Sequence, residues 1–600
     1  MATDLHADLI AHVAAPLEAF LADHGVTGPV PLAPPTRAGT GDLALPCHKY
    51  ARVFRKAPQA IAQELAAVAE GIELIASADP VNGFLNLRYD WSVVACRLVE
   101  WALADDGAVG HSDVLAGQKI AIEYSSPNTN KPQHLGHCRN NLLGQTVGTL
   151  LKTAGAEVLR VNLVNDRGIH ICKSMLAYQR LGEGVTPESA GRKGDHLVGD
   201  FYVRFDQALK AEYEAAFPDG EGPGKDAFFN DGSEWGAAAR KMLQDWEAGD
   251  PEVRALWEMM NGWCHAGFAQ TYERMGVEFD VVNKESETYR LGKSIVDRGL
   301  ESGVFTHAEN GAAVFDQSRI GLEGHKAVLR ADGTSLYVTQ DLGTAVMRHE
   351  TLGFDRMIYV VGNEQDHYFK VLFGILGEVD PTLKGKLTHR SYGMVELPTG
   401  KMKSREGTVV DADDLMDELH EMVRSASTER WSDLDEPERS RRAEAIGLGG
   451  LKYFLMKYNP DRTFIFDKES SISIEGETGP YCQYAHARAE NILRKVGDQL
   501  DGVTPDWAAL DTEPARNLMA ALLAFPRAVR TGAIDLDPSL PAKATYDLAK
   551  SFASFYNDKN SRVLGAAPGA GAARASLVRA TRRVLAAGLG LLGIVPLSEM

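Results

Sequence analysis

Two histidines flank a glycine in the run His134-Leu135-Gly136-His137, where an apolar stretch gives way to a helical one. A helix starting here offers unpaired backbone N–H groups and a partial positive charge at its N-terminus. The glycine lets a ligand approach the backbone closely. Together the two imidazoles could stabilise negative charge developing on a phosphate during a displacement, and Lys131 lies just upstream. A second basic run, Gly400-Lys401-Met402-Lys403-Ser404-Arg405-Glu406-Gly407-Thr408, follows the strand-like SYGMVEL. Lysines in a glycine-bounded loop can clamp phosphates as mobile point charges. Taken alone, the first run is a capped turn and the second a solvated basic loop. The strand before His134 and the amphipathic helix after it favour chemistry for the first. The second draws its weight from its place at the end of a second half-sheet.

The elements that must carry these residues read as follows. KIAIEYSS is an apolar, β-rich run of the kind found in buried parallel strands. SPNTNKPQHLGH is a loop, HCRNNLLGQTVGTLLKTAG a helix closing at Gly155, and EVLRVNLVND another strand. This β-loop-α-β unit is the building block of a nucleotide-binding parallel sheet. A polar, mostly helical block over about 180–275 reads as an insertion. The sheet is expected to resume with AAVFDQSRIG, DGTSLYVTQDLGTA, DRMIYVVGNEQDHYFKVLFGIL and HRSYGMVEL. Before it, helical spacing in LIAHVAAPLEAFLADHG and APQAIAQELAAVAEG, a short strand in PVNGFLNLRYD and a helix in WSVVACRLVEWALADD suggest a small α+β unit. After about residue 412 the pattern is helical to the end. The expected fold class is thus α/β multidomain: an N-terminal α+β domain over 1–115, a Rossmann-like parallel-sheet domain over 116–412, and an all-α bundle over 413–600.

A chain of 600 residues with 44% hydrophobic and 24% charged residues is ordinary globular composition. No apolar run near the ~18 residues of a spanning helix is evident, and the acidic N-terminus lacks the basic start of a secretory signal. The six cysteines are scattered singly with no C-x-x-C pair, which argues against a zinc ribbon or a disulfide framework and for a cytoplasmic setting. Net charge is −19, but from Arg441 onward 20 basic residues face 17 acidic ones, while the first 440 residues carry −22. The C-terminal part is therefore the less repulsive to a polyanion.

Together, His134–His137 resembles the HIGH signature of class I aminoacyl-tRNA synthetases, and Lys401–Arg405 resembles their KMSKS loop. The stretches IEYSSPNTNKPQHLGHCRNNLLG, DGTSLYVTQDLGTA, VVGNEQDHYF and ETGPYCQYAHARA are similar to the arginyl-tRNA synthetase family in particular, over nearly the whole chain. One departure stands in the basic loop, which reads K-M-K-S-R and is one residue short. With one gap Lys403 takes the place of the second lysine; without it Ser404 does. The preserved Lys-Ser-Arg order favours Lys403, and Arg405 is a further candidate for the phosphate contact.

The resemblance implies an arginine–tRNA ligase acting in two steps. The arginine carboxylate attacks the α-phosphate of ATP, and the terminal ribose of tRNA then takes the arginyl group from the adenylate. It assigns Lys131, His134, Gly136, His137, Lys401 and Lys403 to ATP, with the two histidines and two lysines catalytic. It assigns Ser126, Pro127, Asn128, His137, Glu285, Tyr337, Asp341 and Gln365 to arginine. A buried guanidinium does need a carboxylate beside it, and Tyr337 and Asp341, four apart on a helical turn, would face the same way. The competing explanations are a helix N-cap for Asp341 and a core strand position for Tyr337. The implied helpers are ATP as substrate and Mg²⁺ travelling with it, with no zinc and no resident metal site. The implied partners are L-arginine and arginine tRNA, met by the helical C-terminal domain and by an N-terminal domain recognised in GTGDLALPCHKYARVF. The chain is expected to be monomeric and away from membranes. In the C-terminal bundle, Arg574, Arg579, Arg582 and Arg583 are candidates for the tRNA backbone. Two alternatives compete. Other H-x-G-H nucleotidyl transferases, pantothenate-synthetase-like or cytidylyltransferase enzymes, are far shorter and leave the last domain without a role. A synthetase paralogue reduced to RNA binding would not need His134, His137, Lys401 and Asp341 intact.

Overall fold

The computed structural model describes residues 4–35, 37, 39–104, 109–219, 221–398 and 410–600. Lys401, Lys403, Ser404 and Arg405 lie outside the described residues.

Five parallel strands form the central sheet. Across it run Leu387–Tyr392, Arg356–Gly362, Lys119–Glu123, Glu157–Val164 and Val281–Lys284. Chain order thus proceeds outward from Lys119–Glu123 in one direction and then returns to its other side, leaving a topological switch point beside that strand. The pleat sends alternate residues to opposite faces. Ile120 and Ile122 pack with Leu142, Leu143, Val147 and Leu150 of helix Leu135–Thr153. Ala121 packs with Leu342, Ala345 and Val346 of helix Tyr337–Leu352 and with Ile375 of helix Asp366–Val379. The result is a three-layer α/β/α domain, as the sequence pattern led us to expect. Gly144 shows how close the layers come: a Cβ there would lie 2.2 Å from the Tyr124 ring.

In the catalytic-sheet region the expectations differ from the structure at three places. AAVFDQSRIG does not rejoin the main sheet; Ala313–Asp316 is the middle strand of a separate antiparallel sheet with Phe305–His307 and His325–Leu329. DGTSLYVTQDLGTA is not a strand but the start of a helix at Tyr337, because Leu336 takes an extended N-cap conformation and Thr339 bonds back to it at 2.9 Å. The fifth strand is Val281–Lys284, only four residues long and half-buried, which is why its pattern is weak in sequence.

The N-terminal region holds helices Leu5–Asp23, Pro58–Ala69 and Trp91–Leu103 around a three-stranded antiparallel sheet. PVNGFLNLRYD forms a hairpin rather than a lone strand, turning at Asn82 and Gly83 with φ of 52° and 77°. Leu5–Asp23 is, against the sequence expectation, long and apolar enough to cross a membrane by length and composition. It packs as a core helix: Leu9, Val13, Leu17 and Leu21 are buried, and Asp4 at its N-cap pairs with Arg530 at 3.3 Å. The helical insertion has its own apolar core, built from Ile169–Leu181, Gly194–Ala216, Glu234–Ala248 and Pro251–Met275. The C-terminal bundle joins the main core through Glu436–Met456, Gly479–Val496, Glu513–Asp535, Ser539–Asn557 and Pro568–Leu591. It is pinned to helix Leu135–Thr153 by Arg139, whose buried guanidinium donates to the carbonyls of Leu455 and Pro460.

Candidate active site

The strand registers set the site. Glu123 lies opposite both Tyr359 and Val161, Asn128 bridges Asn165, Val164 lies opposite Lys284, and Gly362 opposite Tyr392. Ser126, Pro127, Asn128, Glu285 and Gln365 therefore all fall at or just beyond the carboxyl edge of the sheet, where open α/β folds bind ligands.

Helix Leu135–Thr153 starts at this edge, with His134 as its N-cap. His134 Nδ1 accepts from the Gly136 N–H and His137 Nδ1 accepts from the His134 N–H, both at 3.1 Å, and the ring centroids are 3.9 Å apart. The pair is thus a reciprocal cap that satisfies two orphan donors. Burial and the ammonium of Lys131 push His134 down to about 4, and burial, His134 and Lys131 hold His137 well below the usual histidine range. Burial lowers Lys131 as well. Near neutral pH the site presents neutral imidazoles beside Lys131 and the positive end of a 19-residue helix, a setting that favours an anion.

Ser125 and Ser126 precede it with left-handed φ of 77° and 48°. Such strain costs about 1–3 kcal/mol per residue and persists only where surroundings enforce it. Here the Ser126 N–H donates to Asn162 Oδ1 and Asn165 Nδ2 donates to the Ser126 carbonyl, both at 3.1 Å. The Ser125 N–H donates to Asn140, and its hydroxyl meets that of Tyr272 at 2.6 Å.

The other end of the crevice is acidic. Asp341 is the fifth residue of helix Tyr337–Leu352, so it is not an N-cap, and its carboxylate accepts from the Tyr368 hydroxyl. Burial drives its carboxyl up to about 6; the Tyr368 bond opposes this, while Glu123 adds to it. Glu285 rises to about 7, again through burial, with Arg167 opposing and Asp166 and Asp341 reinforcing. Below Asp341 a cavity of about 40 Å³ is lined by Glu123, Arg348, Tyr359 and Phe369, and Arg348 and Glu123 form a buried ion pair at its floor. A close approach positions the helix: a Cβ on Gly343 would sit 2.4 Å from the Gly292 nitrogen. Tyr337 is 76% exposed, not a core strand residue. It stands one turn from Asp341, as the spacing predicts. Gln365 is exposed in the short turn after the Arg356–Gly362 strand.

The structure thus groups Lys131, His134, Gly136 and His137 at one end and Glu285 with Asp341 at the other. Ser126, Pro127 and Asn128 lie in the turn that leads from the central strand to the first group. Sequence reading missed Tyr368, although it lies within the quoted VVGNEQDHYF, and Glu123, an acid closing an apolar strand run, which is itself a signal. In the C-terminal bundle, Arg574, Arg582 and Arg583 are occupied within the fold by the Arg562 carbonyl, Glu490 and the Ala104 carbonyl.

The parallel sheet, the switch point and the histidine-capped helix at its edge define a class I synthetase catalytic domain. Residues 99–468 match the family described as tRNA synthetases class I (R), catalytic domain, residues 482–600 the DALR anticodon binding domain, and residues 7–89 the arginyl tRNA synthetase N terminal domain. The chain is 44% identical over 534 residues to an arginine–tRNA ligase of Parabacteroides distasonis, covering 86% of this chain and 87% of the relative. It is 41% identical over 574 residues to one of Treponema pallidum, covering 94% of each. Its structure matches that of the Thermus thermophilus arginyl-tRNA synthetase with a TM-score of 0.79 and 28% identity over 99% of this chain and 100% of the other. The chain belongs to the arginyl-tRNA synthetase family.

Proposed function

We propose that this chain is an arginine–tRNA ligase that activates L-arginine with ATP and passes it to the 3′ end of its tRNA. The observation that carries the specificity is the pair Glu285 and Asp341: two carboxyls raised by burial, with Asp341 near enough to push Glu285 up further, a setting that suits a cation. A guanidinium supplies that cation and five donors in a planar fork. Tyr337 and Tyr368 flank Asp341, while Asn128 and Gln365 hold the α-amino group and Ser126, Pro127 and His137 line the approach. In the first step the arginine carboxylate attacks the α-phosphate in line and pyrophosphate leaves. His134, His137, the Gly136 backbone and Lys131 take up charge developing on the phosphates, and Lys401 and Lys403 grip the leaving group. No covalent enzyme intermediate is needed, so positioning and preorganised charge supply the acceleration. Mg²⁺ would be held chiefly by the ATP phosphates.

The tRNA is met by the C-terminal bundle. There Arg488 lies 4.6 Å from the Tyr484 ring and 4.4 Å from that of the exposed Tyr556, beside a cleft of about 480 Å³ lined by Asn491, Lys495 and Arg562. Aromatic and guanidinium faces beside cations suit unstacked bases and their phosphates. The enzyme is taken to work as a cytoplasmic monomer, in keeping with its unpaired cysteines and the packed core role of Leu5–Asp23. The test is ATP–pyrophosphate exchange with each of the twenty amino acids, with and without tRNA. Exchange with arginine alone among them is expected; exchange driven by another amino acid would overturn the specificity.

A further inference from the structure

Between the helical insertion and the histidine turn lies a second cluster of charged side chains. Lys193 Nζ donates to Asp413 Oδ2 at 2.6 Å, to Asp195 Oδ2 at 3.2 Å and to the Thr271 hydroxyl. His196 Nε2 meets the same Asp413 oxygen at 3.1 Å and lies 3.7 Å from Asp411 Oδ1. Asp195 is fully buried; Lys193 and Asp413 are 16% and 18% exposed. Asp195, His196 and Asp413 converge as ligands of a divalent cation would, but the two carboxylates are already paired with the ammonium of Lys193. Burial pulls Asp413 up, yet the hydrogen bonds from His196 and Lys193 outweigh it and hold the carboxyl down at about 2.

What this cluster holds is specific. Asp413 lies three residues beyond Val410, where the chain leaves the basic run. The Leu135 N–H donates to the Val410 carbonyl at 3.0 Å and the Ala412 N–H to the Gln133 carbonyl at 2.9 Å, forming an antiparallel bridge between His134 and Asp411. From the insertion side, the Cys264 thiol donates to the Thr129 carbonyl at 3.2 Å, and a Cβ on Gly199 would lie 2.8 Å from Pro132 and 3.4 Å from Lys131. Helices Gly194–Ala216 and Pro251–Met275 meet so tightly that a Cβ on Gly267 would sit 2.1 Å from Asp195 Oδ1. The insertion therefore presses on the turn 129–135 directly and grips its bridge partner, residues 410–413, through Lys193 and His196.

We propose that Lys193, His196 and Asp413 are positioning residues for the phosphate chemistry, cross-linking the insertion to the bridge that sets the His134 and His137 imidazoles. The proposal rests on the reading of those histidines as phosphate-binding groups. No hydrogen bond or ion pair among the described residues joins the cluster to Asp341 or Glu285, so its loss should appear in the rate of adenylate formation and not in arginine binding. Misplacing reacting groups by about 1 Å can cost about a hundredfold.

The test uses the full-length enzyme in arginine-dependent ATP–pyrophosphate exchange with tRNA present. Lys193→Met should lower kcat about ten- to a hundredfold with the KM for arginine within about twofold, and Lys193→Arg should recover most of the loss. Asp413→Asn should behave alike. The double variant Lys193→Met/Asp413→Asn should lose no more than the worse single, because each single leaves a buried partner uncompensated. If Lys193→Met does not fold, His196→Gln carries the same expectation at about three- to tenfold. Unchanged kcat with only a lowered Tm, an equal loss in the KM for arginine, or strictly additive losses would overturn the proposal. His134→Ala is run beside them. If it leaves exchange intact, the reading of the histidines fails and this inference with it; if it abolishes exchange while Lys193→Met does not, this inference alone fails.

Discussion

The two ends of the crevice are built on the same sheet edge yet are opposites in charge. At one, a helix N-terminus, two imidazoles and an ammonium converge; at the other, Asp341 and Glu285 do. Both ends are buried, and burial pushes each group toward its neutral form: the histidines downward, the acids upward. Each end thus favours a ligand of opposite sign, which would offset the cost of burying charge there. The difference lies in what carries the polarity. The anion end adds backbone dipoles that cannot titrate to its imidazoles and ammonium, whereas the cation end relies on carboxyls alone.

The sharpest way to separate the two ends is to remove one group from each. His134→Ala deletes a ring proposed to meet the phosphates and the cap that accepts from the Gly136 N–H, while the backbone N–H that donates to His137 remains. By analogy with the removal of one oxyanion donor, the rate of pyrophosphate exchange should fall about 10²–10³-fold, while the KM for arginine stays within about threefold. A comparable rise in that KM would break the division between the ends.

Asp341→Ala is the reciprocal cut. A charge-assisted contact of this kind contributes about 1.5–3 kcal/mol, so the KM for arginine should rise about ten- to a hundredfold and that for ATP hardly at all. Steady-state kinetics with each substrate varied in turn decides it, and equal shifts in both constants would remove Asp341 from the guanidinium site.

Titration offers a finer contrast. Glu285 and Asp341 lie at about 7 and about 6 in the empty site, and a guanidinium binds their charged forms. Arginine affinity should therefore weaken as pH falls from 7.5 to 5.5, by up to about a hundredfold where both carboxylates must be charged, while ATP affinity tracks the titration of ATP itself because His134, at about 4, stays neutral throughout. Calorimetric titration of arginine across that range is the measurement. Glu285→Gln should remove the upper part of the slope, and a flat arginine profile in the parent enzyme would mean that the acids are already ionised.

This contrast also explains what could be read from sequence. The strand in KIAIEYSS was legible because it is buried along nearly its whole length and reads as an apolar run, the one in EVLRVNLVND because valines and leucines recur along it, and the helix opening at His134 because the turn residues are distinctive. The end of the sheet near Glu285 was not: Val281–Lys284 is a half-buried edge whose pattern hides among polar neighbours, and the helix at Tyr337 begins on an apolar Leu336 with no side-chain cap of the usual type. The motif resemblance still brought Tyr337, Asp341 and Glu285 to notice where periodicity failed. Tyr368 and the pair Glu123–Arg348 depend on contacts between residues 27 and 225 apart in the chain, and Lys193–Asp413 on residues 220 apart. No local pattern encodes such meetings.

The smallest effect is on stability, and its sign is diagnostic. A carboxyl whose value rises on folding binds its proton more tightly in the folded protein. The charged form therefore costs stability above the folded value, and the cost disappears below the unfolded one. For Glu285 the window runs from 4.5 up to about 7. Glu285→Gln should thus stabilise the ligand-free enzyme at pH 8, by about 1 kcal/mol once the partial exposure of the side chain is discounted. At pH 5.5 the gain should be less than half as large. Saturating arginine should reverse the order at pH 8, because the parent gains the ligand's stabilisation in full and the variant does not. Thermal unfolding with and without arginine at the two pH values reads all four states. A variant less stable than its parent at pH 8 without ligand would mean that the Glu285 carboxylate is already well paired in the empty site.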